Sequence, residues 1–142
     1  MSTSTSVFEG VESMNIWQEN QLADKIIQIL KDVPDTNSQH HMGYPFLSAY
    51  QIAIEFAARY PEIVAETGYQ VGGVGIGERT SLAQYLARQL SSHIRDGNLP
   101  EVEGGFLSNW HLQDILLDNQ GETIQSSLTG TQFTLSMFRY KP

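Results

Sequence analysis

The most apolar periodic stretch of the chain is YPFLSAYQIAIEFAARY, from Tyr44 to Tyr60. At about 100° per residue, Ala49, Tyr50, Ile52, Ala53, Ile54, Phe56, Ala57 and Tyr60 cover well over half of a helix circumference. Gln51, Glu55 and Arg59 form the narrow polar remainder. Ser48 is the candidate N-cap. With Gln51 three residues on it makes a capping box, and Leu47 and Ile52 are spaced for a hydrophobic staple. Glu55 precedes Arg59 by four residues, the favourable order for a helix ion pair. Pro61 ends the segment. A helix this apolar must be covered on two sides, so the pattern predicts a central core helix over Ser48–Tyr60.

Two further segments carry a helical period. Ile16, Trp17, Ala23, Ile26, Ile27, Leu30 and Val33 predict a first helix from about Asn15 to Val33, capped by Ser13 or Asn15 and stopped by Pro34. Leu82, Ala83, Leu86, Ala87, Leu90 and Ile94 predict another from about Thr80 to Asp96, with Gly97 ending it. Between the second and third helices, PEIVAETG adds one or two turns up to Gly68. Residues 34–46 and 97–105 are loop-like in composition.

From residue 106 the pattern turns β-rich. Ile115–Asp118 and Thr123–Leu128 flank Asn119-Gln120-Gly121, a hairpin signal, with a fourth helix over Ser108–Leu117 as the alternative. A second tight turn falls at Thr129-Gly130. In the last run Phe133, Leu135 and Met137 alternate with Gln132, Thr134 and Ser136. Phe138 and Tyr140 then fall on the other face, which implies a bulge or a two-sided strand. The fold expected is therefore α+β: three main helices followed by a small C-terminal antiparallel sheet of two to four strands. That order is also winged-helix-like, helices first and then a hairpin wing, an analogy of fold alone.

The chain has 142 residues, a length suited to one domain over residues 14–142, behind a Ser/Thr-rich N-terminal tail at residues 1–13 that is expected to be flexible. The tail lacks the basic and apolar regions of a secretory signal, and no apolar run approaches a membrane span. With no cysteine, thiolate chemistry and disulfides are excluded. A cytoplasmic location is the simplest reading. The net charge of −8 disfavours attraction to phosphate backbones and anionic membranes.

Two constellations are candidates for function. Gly72-Gly73-Val74-Gly75-Ile76-Gly77-Glu78-Arg79-Thr80 resembles a Walker A loop opening a helix, and Ile115–Asp118 resembles a Walker B strand. Glu78, however, stands where the phosphate-binding lysine belongs, and Arg79 replaces the magnesium-holding hydroxyl. A milder version is an anion site using Gly75, Gly77, Arg79 and Thr80 at the helix start. The second constellation is the polar face of the third helix. Gln84, Arg88, Ser91 and Arg95 line up at steps of four, three and four, as DNA-reading or protein-contacting side chains do.

Adjacent His40 and His41, expected to point opposite ways, form no chelate, and His93 and His111 lie far off, so no metal site is assigned. Glu101, Glu103, Asp114 and Asp118 lack a visible catalytic partner. No catalytic residue, cofactor or metal is assigned. The reading is of a non-enzymatic protein-interaction or regulatory module. It fits the spare aromatics Phe8, Phe138 and Tyr140, and its partner is another protein or a second copy in a homodimer. The alternatives are a winged-helix-like DNA-binding regulator reading through helix 80–96 with the 119–121 turn as wing, and an anion or nucleotide binder at the 72–80 loop.

Overall fold

A computed structural model describes residues 16–34, 40–73, 81–126 and 135–142. In chain order the elements are α1 (Leu22–Lys31), β1 (Leu47–Ser48), α2 (Ala49–Arg59), α3 (Pro61–Thr67), α4 (Leu82–Arg95), β2 (Val102–Leu107), β3 (Leu116–Asn119), β4 (Glu122–Gln125) and β5 (Leu135–Tyr140). This is an α+β fold with antiparallel strands: β1-β5-β2 form one sheet and β3-β4 a separate hairpin. Among the described residues no helix is long and apolar enough to cross a membrane.

The central helix forms as its pattern requires. Ser48 Oγ accepts from the Gln51 N–H at 3.1 Å, and Gln51 Oε1 accepts from the Ser48 N–H at 2.7 Å, which closes the capping box. Pro61 disfavours the α conformation at Tyr60 and itself opens α3. Ile52, Ala53 and Phe56 are buried, with α1 and α4 packed against α2. Burying such side chains is worth about 1.5–3 kcal/mol each. Arg59 at the far end bonds Glu55 at 2.7 Å and Asp32 at 3.0 Å, tying α2 to the end of α1.

The expected first helix is broken. A helical turn at residues 16–19 ends at Asn20, and Gln21 takes a left-handed conformation (φ 53°) before α1 begins. In one continuous helix Trp17 and Leu22 would lie about 140° apart. The break lets both be buried, Trp17 stacking on His93 of α4 at 5.0 Å and Leu22 entering the core.

The 97–105 loop expectation also gives way. Val102 to Gly105 belong to β2, paired with β5 in an unbroken register from Val102↔Tyr140 to Leu107↔Leu135. That register contains no bulge, so β5 is the two-sided alternative. Leu135 and Phe138 are both buried although they lie on opposite faces. Residues 108–115 are not helical, and β3 follows them. The β3–β4 turn has positive φ at Gln120 (53°) and Gly121 (94°), the geometry of a type I′ turn, with Asp118 Oδ1 accepting the Gly121 N–H at 2.8 Å. The tail at residues 1–13 and the Thr129-Gly130 turn lie outside the described residues.

Candidate functional site

The polar stripe of α4 runs beside β2. Gln84 is half-buried, while Arg88, Ser91 and Arg95 are exposed. Ser91 and Arg95 form one wall of a groove of about 290 Å³ whose other wall is Gly104, Gly105 and Phe106, and whose floor is Phe138 and Ile94. Gly104 is what allows the floor to lie there. A Cβ at this position would stand 3.3 Å from the Phe138 ring and 3.4 Å from Ile94 Cδ1.

Arg95 bonds its neighbour Asp96 at 3.2 Å, with both side chains largely in solvent, so the pair adds little stability. Arg88 has no acidic partner among the described residues. The other described cations are mostly engaged. Arg139 bonds Glu103 at 2.9 Å and lies over Phe46, while Lys25 and Lys31 sit over Tyr60 and Tyr140.

The aromatic side chains that reach solvent differ from those expected. Phe138 is buried in the groove floor. Tyr140 is half-buried, edge-on to Tyr44 at 5.1 Å. Phe8 lies outside the described residues. Phe106 is instead 73% exposed and Trp110 is 77% exposed, with Leu107 and Leu116 also exposed nearby in the chain. Ser108 Oγ accepts the Trp110 N–H at 3.0 Å, and the Trp110 indole stacks on His111, whose φ is 65°. The sequence signal for these exposed side chains is the run GGFLSNW, where bulky apolar residues follow two glycines at a strand end.

Gly75, Gly77, Arg79 and Thr80 of the anion loop lie outside the described residues. The helix start beside them is described, and its amides are already taken. Leu82 N–H donates to Gln70 O at 2.6 Å, Ala83 N–H to Val71 O at 3.0 Å, and Gln84 N–H to Ser81 Oγ at 3.2 Å. Ser81 is therefore the N-cap. Gly72 and Gly73 have a packing role. Their φ values are 138° and 118°, and a Cβ on Gly73 would fall 2.7 Å from Ile124 Cγ2 and 3.1 Å from Gln125 O. The segment resembling Walker B is the β3 strand of an antiparallel hairpin, and the described strands contain no parallel sheet.

The histidine pair also differs from expectation. A turn closed by Gly43 N–H donating to His40 O places the His40 and His41 rings face to face at 4.3 Å, so they do not point opposite ways. Among the described residues no group of three His, Cys, Asp or Glu side chains is placed to hold a metal ion. Three of the four carboxylates singled out by sequence act within the fold: Glu103 on Arg139, Asp114 on Gln125, and Asp118 on the hairpin turn. Asp32 is held below its ordinary carboxyl value, first by the Gln28 amide and then by Arg59. Burial raises the Tyr85 hydroxyl well above its usual range.

No protein-family model, curated protein or solved structure matches this chain.

Proposed function

We propose that this chain is a non-enzymatic protein-interaction module of the cytoplasm, and that its contact surface is the α4–β2 groove together with the loop that follows β2. The observation that carries this reading is the exposure of Phe106 (73%), which lines the groove, and of Trp110 (77%), four residues further along the chain. Large aromatic residues dominate the energetics of protein contacts, and apolar side chains collected in one region mark them. Arg88, Ser91 and Arg95 supply a polar rim to the same surface.

The test is affinity purification with the full chain and with the Phe106→Ala/Trp110→Ala double variant, alongside sedimentation of both. The reading predicts a partner, or self-association, that the wild type retains and the folded variant loses. Identical captured proteins and identical sedimentation for the two would remove it.

A second reading has a specific support. A helix, the short strand β1 and further helices precede β2 to β5, and β5 pairs between β1 and β2, an order that supports the winged-helix analogy, in which α4 would be the reading helix. A DNA-binding regulator would use Gln84, Arg88, Ser91 and Arg95 on the duplex. Its charge balance is poor, since affinity for duplex comes mainly from several phosphate contacts. Fluorescence anisotropy with labelled duplex at low salt decides it. Binding that weakens steeply with salt and is lost in Arg88→Glu would favour this reading, and no binding would end it.

A further inference from the structure

We propose that the occupant of the α4–β2 groove is an extended acidic segment of a partner protein, which adds as a strand to the open edge of β2. This inference rests on the protein-contact reading and names its ligand chemistry.

The strand order leaves β2 at the end of its sheet among the described residues. The direction of its backbone groups follows from one hydrogen bond. Lys141 N–H donates to Glu101 O at 2.6 Å, which makes that position a hydrogen-bonded pair. In the register that follows, Glu103, Gly105 and Leu107 face β5, so Gly104 and Phe106 turn their N–H and C=O groups outward. Gly104 to Leu107 are all exposed. An edge whose alternating donors and acceptors have no strand partner among the described residues, beside an apolar pocket, is the arrangement that strand addition uses.

Charge selects the occupant. The chain carries twice as many acidic as basic residues, 16 against 8. The groove nevertheless has no carboxylate among its lining residues and has Arg95 in its wall, paired with Asp96 outside the lining at 3.2 Å in a contact largely open to solvent. Arg88 stands seven residues before Arg95 on the same helix stripe, exposed and without an acidic partner among the described residues. Two other grooves among the described residues differ: one contains Asp32 and Glu55 beside Arg59, and the other contains Asp24. A strand laid along β2 would direct alternate side chains toward α4, where acidic groups meet Arg88 and Arg95 and an apolar one enters over Phe138.

The experiment selects binders to the full chain from a displayed library of random peptides, then measures the enriched peptides by fluorescence anisotropy. The expected binders carry acidic residues alternating with apolar ones. Arg88→Glu/Arg95→Glu should weaken them at least about tenfold. N-methylation of one alternate set of peptide nitrogens should abolish binding while the other set is tolerated. Binders that are basic or neutral, or that tolerate N-methylation at both sets, overturn strand addition by an acidic segment. If Phe106→Ala still weakens such binders, the contact surface stands without this ligand. If neither Phe106→Ala nor Trp110→Ala affects them, the surface reading falls as well. Failure to enrich any peptide overturns the proposal, as does a wild-type dimer dispersed by Arg88→Glu/Arg95→Glu, which would make a second copy the occupant.

Discussion

Replacing Gly73 by alanine tests why this chain concentrates glycine before α4. The backbone there has φ 118°, a region that L side chains rarely adopt. Forcing alanine into left-handed backbone costs about 1–2 kcal/mol. The added Cβ would also fall 2.7 Å from Ile124 Cγ2 and 3.1 Å from Gln125 O. The second atom is backbone in β4 and cannot rotate away, so the hairpin itself must shift. Overpacking of this kind costs about 1–3 kcal/mol. Together these give a loss of about 2–5 kcal/mol. For a chain of this length that corresponds to a fall in Tm of roughly 6–15 °C. The control is Gly121→Ala, where φ is 94° but no atom lies within 4 Å of the added Cβ, so only the backbone term of about 1–2 kcal/mol applies. Urea denaturation of both variants, with thermal melts alongside, separates the terms. If Gly73→Ala costs no more than Gly121→Ala, the close approach of loop and hairpin does not constrain this glycine. The glycine pair would then need another explanation.

Ser48→Ala removes the α2 cap and should lower stability by about 1 kcal/mol in urea, with unchanged helix content by circular dichroism. Phe56→Ala opens a cavity in the middle of the core and should cost about 3–5 kcal/mol by the same assay. Phe106→Ala, in contrast, should change stability by less than about 0.5 kcal/mol, because its side chain is mostly in solvent. Asp32 titrates below its ordinary value of 3.8 when folded, so its contribution is present above that pH and is lost as pH falls through the lowered folded value. The stability difference between wild type and Asp32→Asn should therefore be constant near neutrality and shrink only in acid, as read from urea midpoints across pH.

Much of the fold follows from short-range rules that the sequence states directly. The Ser48 and Gln51 box, the Pro61 stop, the left-handed Gly97 after α4 and the Gln120-Gly121 turn each depend on residues within a few positions of one another. The helical period likewise specifies the buried faces of α2 and α4. The misses share a different cause. Gln21 takes a left-handed conformation because Trp17 finds His93 across the fold, a partner 76 residues away that no local pattern reveals. The strand at Val102–Gly105 has loop-like composition, and pairing with β5 overrides it.

The sequence by itself determined the apolar helix faces, their caps and stops, the hairpin turn and the α+β order, because these depend on neighbours in the chain. Tertiary structure alone decided which glycines sit under close contact and which aromatics remain in solvent. Gly104 yields to the Phe138 ring, Gly73 yields to β4, and Phe106 and Trp110 stay exposed. Exposure is a property of what packs over a residue. Phe138 and Phe106 are the same residue type in the same sheet, but Phe138 lies in the central strand β5, covered by packed helices, and Phe106 lies in the edge strand β2.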